Sequence, residues 1–168
     1  PSVPAHWHFG GLTKYLESAV DYRGRTPEKV SEGVPLVTAR NIRDGRLDYD
    51  ASTEFVRHDE YEEVMRRGRP EIGDVLFTTE APLGEVANVD RGDIALAQRV
   101  VKFRGKADVL DNFFLKYWLM GDATQMTLRT LATGSTAEGI KASKLGQIPL
   151  ALPPLEEQRQ IVRFLDKR

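Results

Sequence analysis

The sequence predicts an α+β domain, in which a twisted mixed or antiparallel β-sheet packs against helices, followed by a C-terminal helix of the coiled-coil type. Two observations predict it. Short apolar segments separated by glycine, proline and polar turns fill positions 34–103, which is typical of strands. Helical patterns occupy positions 112–126 and the end of the chain. We therefore expect the domain in residues 1–152 and the helix in residues 153–168.

The composition favours one globular domain. The chain has 168 residues, of which 40% are hydrophobic and 29% are charged, and this is enough to bury a substantial core. No apolar run approaches the roughly 18 residues of a membrane span, and no signal peptide is visible. There is no cysteine, which excludes disulfides and thiolate metal sites and fits a cytoplasmic protein.

The charge is unevenly distributed along the chain. The net charge is −1, which argues against a protein that binds DNA through its overall charge. Positions 44–63 hold eight acidic residues and two arginines, so the remaining sequence has 22 cationic and 17 anionic residues. If the acidic segment lies on one face, a modestly basic surface remains elsewhere; alternatively, the segment is an ordinary solvated helix and turn.

The first part of the chain predicts an irregular lead-in at positions 3–9 and a short helix from Leu12 to Val20. The turn that follows, at positions 21–27, carries Arg23 and Arg25 beside a tyrosine and a glycine. This composition suits phosphate or base contact, and it is equally common in surface turns.

A strand is predicted at positions 34–39, and it leads into a turn that carries Arg40, Asn41 and Arg43. Arginine can bind guanine and asparagine can bind adenine through paired hydrogen bonds. The turn is therefore a candidate for reading bases, although Asn41 and Asp44 are also residues that simply shape turns.

Further along, we predict a helix at positions 60–67, strands at 75–79, 85–89 and 94–103, and a helix at 112–126 that Asp111 caps. The aromatic residues of this helix favour a core rather than a base-stacking surface. Residues 128–131 continue as helix, and a polar loop bracketed by glycines follows at 132–140.

The C-terminal helix is predicted to begin with Pro154 as its first residue, where proline is favoured. Acidic Glu156 and Glu157 follow in the first turn and Arg163 lies later, as the helix dipole prefers. A narrow stripe on this helix suits pairing with a second helix; its residues are Leu155, Gln158, Val162 and Leu165. Because no glycine or asparagine cap follows, we expect either that a longer helix has been cut or that the chain is naturally truncated.

Several catalytic signatures are missing from the sequence. We find no phosphate-binding glycine loop, nucleophile elbow or S-adenosylmethionine motif. The histidines His6, His8 and His58 have no partners at metal-ligand spacing, and no carboxylate pair has a spacing that singles it out for acid–base work. Catalysis by this chain alone is therefore not expected.

One family does match the residues in order. The segment from Ile148 to Val162, with its Pro-Pro-Leu-Glu-Glu-Gln run, resembles the place in specificity (S) subunits of type I restriction-modification enzymes where a target recognition domain joins a conserved helix. The other matching pieces are Trp7, Leu12, Gly24, Thr26-Pro27, Gly33 to Val37, Arg40 to Ile42, Gly73 to Thr78, Leu83 to Ala87, Gln98 and Thr133 to Thr136.

This resemblance implies a non-catalytic subunit that reads double-stranded DNA. In the family, two recognition domains each read half of a split target, and long helices pair and bind the methylation subunits. Methylation and restriction subunits use S-adenosylmethionine, ATP and Mg²⁺, so this chain is expected to need no cofactor. It holds one recognition domain and the start of one helix, which leaves open a fragment, a half-sized subunit that dimerises, or part of a fused restriction–methyltransferase enzyme. Two other hypotheses remain for the function. The chain is a fragment of a methyltransferase or nuclease, or it is an assembly scaffold that does not recognise DNA sequence.

Base-contacting residues cannot be transferred by motif, so we select them by chemistry. Arginine, asparagine and glutamine can specify bases, whereas hydroxyls and lysine more often hold phosphate. The predicted DNA-binding residues are Arg23, Arg25, Arg40, Asn41, Arg43, Thr78, Thr79, Glu80, Gln98, Arg99, Lys102, Ser135 and Thr136. A tight structural turn is the alternative for the loop that carries Ser135 and Thr136.

Overall fold

The structure is a computed structural model that describes residues 2–24, 26–132 and 139–168. Its strands are β1 (His8–Gly11), β2 (Leu16–Asp21), β3 (Val34–Val37), β4 (Ile42–Arg43), β5 (Arg46–Leu47), β6 (Glu54–Val56), β7 (Val75–Thr79), β8 (Leu83–Asn88), β9 (Ala95–Leu96), β10 (Val100–Gly105) and β11 (Pro149–Leu152). Its α-helices are α1 (Tyr61–Val64), α2 (Asn112–Met120), α3 (Asp122–Leu131) and α4 (Leu155–Asp166). The α+β class predicted from the sequence is confirmed.

An antiparallel four-stranded sheet, in the order β2-β10-β7-β8, lies at the centre. Alternate residues of β7 face opposite sides, so that Val75 and Phe77 join one hydrophobic cluster while Leu76 joins another. Every residue of β7 is buried. Apolar layers therefore cover both faces of this sheet, which explains the nearly continuous apolar sequence of the strand.

The layer on one face is made of further strands. A three-stranded sheet has the order β6-β3-β9, and β4 and β5 form a hairpin. Strands β3 and β9 run parallel, with Leu36 opposite Ala95 and Val37 opposite Leu96. The two strands therefore end at the same edge of the sheet, although about sixty positions separate them in sequence.

The layer on the other face is largely helical, and it contains α2, α3, α4 and the β1–β11 ribbon. Asp111 caps α2 as predicted, because its carboxylate accepts hydrogen bonds from the Phe113 and Phe114 amides. The predicted helix at 112–126 is nevertheless two helices, since Gly121 is extended and separates α2 from α3. No helix in the described part of the chain is long and apolar enough to cross a membrane.

One local prediction near the N-terminus is wrong, and two others differ from the structure at their ends. The helix expected from Leu12 to Val20 is a 3-10 turn at Leu12–Tyr15 followed by strand β2. Pairing of β2 with β10 along its length overrides the weak local helical pattern. The lead-in is not wholly irregular, because His8 and Phe9 belong to β1. The helix expected at positions 60–67 ends at Val64.

The C-terminal helix α4 is confirmed, with Glu156 and Glu157 in its first turn and Arg163 in its last. Pro154 is its N-cap residue and Leu155 its first helical residue, one position later than predicted. The proposed division between residues 1–152 and 153–168 remains a prediction.

Candidate nucleic-acid interface

A cleft forms where the parallel strands β3 and β9 end. After β3 the chain turns through Thr38 into a 3-10 turn at Ala39–Asn41, which places Arg40 at the edge. After β9 the Ala97 amide donates to the Val37 carbonyl at 2.9 Å, which carries Gln98 and Arg99 to the same edge. The parallel pairing thus unites two predicted segments that lie far apart in sequence.

The end of β7 forms a third wall of this cleft. The Thr79 amide donates to the Arg99 carbonyl at 3.0 Å, so the residue that follows, Glu80, lies beside Arg99. We call this depression the strand-end cleft; it is lined by Lys29, Thr38, Ala39, Arg40, Ser52, Glu54, Ala81, Ala97, Gln98 and Arg99.

A second depression extends the strand-end cleft past Arg40. Arg40 lines both depressions, and the second also contains Arg43, from the β4–β5 hairpin. Pro82 and Glu85 line its far side. Arg40, Arg43, Gln98 and Arg99 are therefore presented on one continuous surface.

The cations of this surface differ in their partners. Lys29 forms an ion pair with Glu54 at 3.1 Å, and Arg99 lies 3.7 Å from Glu80. Within the part of the chain that the structure describes, the side chains of Arg40, Arg43 and Gln98 have no hydrogen-bond or ion-pair partner. Exposed guanidinium and amide groups without partners are free to bind base edges or phosphates.

Asn41 does not belong to this reading surface, although it was predicted to contact DNA. Its side chain is only 1% exposed. The amide oxygen accepts hydrogen bonds from the amide and hydroxyl of Thr38, and the amide nitrogen donates to the carbonyls of Asp48 and Ser52. Both amide groups are saturated, so Asn41 builds the turn, which is the alternative that the sequence had left open.

Thr78 and Thr79 are also wrongly predicted as DNA contacts. Both are buried in β7. The Thr78 hydroxyl accepts from the Glu85 amide at 2.9 Å, and the Thr79 hydroxyl donates to the Arg99 carbonyl at 3.3 Å. These hydroxyls hold the strand ends together, and they position the residues that line the cleft.

Lys102 is a third wrong prediction, because it is 1% exposed in the central sheet. Its amine lies 3.4 Å from the carboxylate of Asp74, which also accepts two hydrogen bonds from Arg104. Burial lowers the pKa of Lys102, while the Asp74 charge acts in the opposite direction. Burial raises the pKa of Asp74, but Arg104, the Glu71 amide and Lys102 outweigh burial and hold that pKa below its usual range.

The remaining predicted residues lie elsewhere. Arg23 is exposed, pairs with Asp21 at 2.9 Å and lines a separate depression together with Arg66 and Arg67. Arg25, Ser135 and Thr136 lie outside the described residues.

Two cleft residues, Lys29 and Glu54, were missed by sequence reasoning. An isolated bridge between Val30 and Phe55 brings them together. Only the pairing of these distant segments reveals their place, and no local motif marks it. Glu54 also shows that the acidic segment at 44–63 is not confined to a face away from the candidate site.

The sequence comparison decides the family. Residues 48–167, more than half of the chain, match the family described as the type I restriction modification DNA specificity domain. The chain belongs to this family.

Curated specificity subunits are similar to this specificity domain. A putative type I restriction enzyme MjaX specificity subunit from Methanocaldococcus jannaschii is 29% identical over 92 residues, which are 55% of this chain and 21% of that protein. The MjaVIII specificity subunit of the same organism is 24% identical over 173 residues, covering 97% of this chain and 39% of that protein. The Escherichia coli EcoBI specificity subunit is 21% identical over 141 residues, which cover 83% of this chain and 29% of that protein.

Solved structures share the fold of the specificity domain. The HsdS subunit from Thermoanaerobacter tengcongensis superposes with a TM-score of 0.67 at 22% identity, covering 99% of this chain and 38% of that one. The type I S subunit from M. genitalium superposes with a TM-score of 0.66 at 17% identity, covering 99% of this chain and 40% of that one. This chain thus spans about two fifths of the structures that it matches.

Helix α4 of the specificity domain is anchored to the rest of the domain by polar side chains. Gln158 is fully buried: its Oε1 accepts from the Asp111 amide, and its Nε2 donates to the carbonyls of Val109 and Pro153. Glu157 accepts from His6 Nε2 at 2.8 Å and from Trp7 Nε1 at 2.9 Å. The side chains of His6 and Trp7 therefore tie the N-terminal segment to the start of α4.

This anchoring corrects the predicted helix-pairing stripe. Gln158 is saturated inside the domain, so it is not available to a second helix. Val162 packs against the helical-side core, while Leu155 and Leu165 are half-buried. The opposite side of α4 is exposed, and it carries Gln160, Arg163 and the large apolar side chain of Phe164, which is 63% exposed.

Proposed function

We propose that this chain recognises one half of a split double-stranded DNA target, as the specificity subunit, or half of one, in a type I restriction-modification complex. The observation that carries this proposal is the surface at the strand-end cleft, where the exposed side chains of Arg40, Arg43 and Gln98, which have no partner among the described residues, converge from distant segments. Arginine and glutamine are residues that can specify guanine and adenine in the major groove. Membership of the specificity-domain family supports the same conclusion.

In this proposal the chain contributes recognition and no catalysis. Methylation and cleavage belong to partner subunits, which use S-adenosylmethionine, ATP and Mg²⁺. The near-neutral charge of the chain fits a reader whose grip on phosphate is supplied largely by the assembly. The surface offers four side chains that can contact base edges, which is a number suited to reading a few base pairs. They are Arg40, Arg43, Gln98 and Arg99.

Mapping of methylated sites in the genome of the source cell, with and without this gene, tests the proposal. Loss of one methylated bipartite sequence on deletion of the gene is expected. Exchange of residues 1–152 for another recognition domain should change the sequence of one half-target. A scaffold that reads nothing would leave the methylated sequence unchanged by that exchange.

The residue assignment has its own test. Arg40→Ala should relax sequence preference by about 1–3 kcal/mol in the assembled complex, because one base contact is lost. The melting temperature should not change, since the Arg40 guanidinium has no partner in the described structure. Binding to duplexes with single base changes measures the preference, and an unchanged preference would remove Arg40 from the reading surface.

We further propose that α4 joins the chain to its partners, with a second helix lying on the exposed side that carries Gln160 and Phe164. The side that carries Gln158 is already occupied by the domain. Phe164→Glu should therefore weaken association with a second recognition domain or a second copy, which size-exclusion chromatography with light scattering would detect. Val162→Glu should instead disturb the packing of α4 on its own domain, because Val162 packs against the helical-side core.

A further inference from the structure

Glu80 is a half-exposed anion beside the strand-end cleft, whose lining contains one other carboxylate, that of Glu54, which is paired with Lys29. Its carboxylate lies 3.7 Å from the guanidinium of Arg99, and the two side chains are 46% and 50% exposed. Arg99 lines the cleft, and Glu80 directly precedes Ala81, which also lines it. The Glu80 carboxylate therefore lies beside the strand-end cleft, next to a guanidinium that lines it.

The backbone fixes the relative position of these two side chains. Thr79 binds the Arg99 carbonyl through both its amide and its hydroxyl. Gly139 bridges to Glu80, and the Ile140 amide donates to the Thr79 carbonyl at 2.9 Å. A Cβ at Gly139 would lie 3.2 Å from the Glu80 Cβ, so the two segments are in close contact. Such a rigid frame suits precise recognition.

Stability does not account for the carboxylate. Half-exposed ion pairs contribute little to folding because solvent screens them. In a DNA-binding surface a carboxylate also repels phosphate, so it weakens binding unless a donor on a base compensates for it. The major groove offers such a donor in the N4 amino group of cytosine, which glutamate can bind, whereas arginine binds O6 and N7 of guanine.

We propose that Glu80 and Arg99 together read the two bases of one G·C pair, with Arg99 on guanine and Glu80 on the paired cytosine. Guanine O6 and cytosine N4 are adjacent in the major groove because they are hydrogen-bonded to each other within the pair. Two side chains held 3.7 Å apart can therefore reach both bases without changing their relative position. This inference rests on the proposed function, and it assigns one position of the target that the function alone does not.

The experiment selects bound DNA from a pool of duplexes with a randomised centre. It uses the intact protein assembled with the methylation subunits, and it compares the wild type with Glu80→Ala and Arg99→Lys. Asp59→Ala is the control, because Asp59 is also an exposed acid paired with an arginine, but that arginine, Arg57, does not line the cleft as Arg99 does. Sequencing of the selected duplexes gives the base preference at each position.

Glu80→Ala and Arg99→Lys should both reduce the preference for one and the same G·C position, by roughly five- to hundredfold. The base preferences at all other positions should be retained. Arg99→Lys keeps the positive charge but loses the paired hydrogen bonds, so it distinguishes base reading from phosphate attraction. Glu80→Ala should also increase binding to duplexes that lack the target.

The inference is overturned if the two variants change different positions, if either leaves the preference unchanged, or if the affected position is not a G·C pair. These results leave the proposed function intact provided that the wild type enriches a defined sequence. A wild-type protein that enriches no sequence contradicts the proposed function, and the inference falls with it.

Discussion

Two glutamines illustrate the difference between the two sides of the central sheet. Gln158, on the helical side, is fully buried and bonded to the backbone of Val109, Asp111 and Pro153. Gln98, at the strand-end cleft, is exposed and has no side-chain partner in the described structure. Identical chemistry therefore serves packing on one side and is available for recognition on the other.

Two arginines repeat the comparison. Arg104 donates two hydrogen bonds to the buried carboxylate of Asp74. Hydrogen bonding to that carboxylate raises the pKa of the Arg104 guanidinium above its ordinary value, although partial burial acts in the opposite direction. Arg40 is exposed beyond the end of β3. Arg104 is thus held by the carboxylate that it binds, while the Arg40 side chain has no hydrogen-bond or ion-pair partner among the described residues. The roles of similar residues thus follow from where the strands end.

The largest effect is expected at Asp74. Asp74→Ala leaves the buried amine of Lys102 without its counter-charge, and this should lower the free energy of unfolding by about 3–5 kcal/mol. Urea denaturation followed by circular dichroism measures the loss. Asp59→Ala, which breaks an exposed pair, should leave the midpoint unchanged. Equal midpoints for the two variants would show that the buried pair of Asp74 and Lys102 does not stabilise the central sheet.

Removal of the Gln158 amide is expected to have the next largest effect. Gln158→Ala leaves a cavity and three backbone groups without their partner, those of Val109, Asp111 and Pro153, and should destabilise the protein by about 3 kcal/mol. The control on the same helix is Gln160→Ala, which is exposed and should change stability by less than about 0.5 kcal/mol. A similar result for both variants would contradict the anchoring of α4 through Gln158.

Neighbouring residues Arg40 and Asn41 allow a smaller but sharper test. Asn41→Ala removes four hydrogen bonds from the turn and should lower stability by about 2 kcal/mol. Arg40→Ala should leave stability unchanged while it alters base preference. Thermal unfolding and duplex binding, measured on both variants, would refute the comparison if Arg40→Ala were the less stable protein.

The smallest expected effect is on acid stability. The pKa of Asp74 is lowered in the folded state, so its contribution is complete above its ordinary pKa near 4 and is lost as the pH falls through the folded-state value. Asp74→Asn should therefore show a weaker loss of stability than the wild type between about pH 5 and pH 2. Urea midpoints across that range give the two slopes, and parallel slopes would assign acid unfolding to other carboxylates.

The sequence predicted individual helices and strands better than it predicted which strands pair with one another. Strand β7, the cap at Asp111 and the helix α4 follow from local patterns of apolar residues, caps and charges. The helix expected at Leu12–Val20 failed because pairing with β10 is a long-range contact, and the residue pattern of a short segment does not contain it.

The candidate site could be predicted only in part for the same reason. Arg40, Arg43, Gln98, Arg99 and Glu80 were selected by chemistry, and the structure places them around one cleft and its extension. Asn41, Thr78, Thr79 and Lys102 were selected by the same chemistry but are buried. Burial depends on which strands become neighbours, so residue type alone cannot separate the two groups.

The parallel pairing of β3 and β9 has a consequence for how the protein can diversify. The loops that follow these strands begin from hydrogen-bonded backbone, yet the side chains of Arg40 and Gln98 add no bonds to it within the part of the chain that the structure describes. Replacing them should change stability little, because exposed substitutions are usually close to neutral. Under the proposed function, new target sequences are therefore expected to arise through successive single substitutions, each of which yields a folded intermediate.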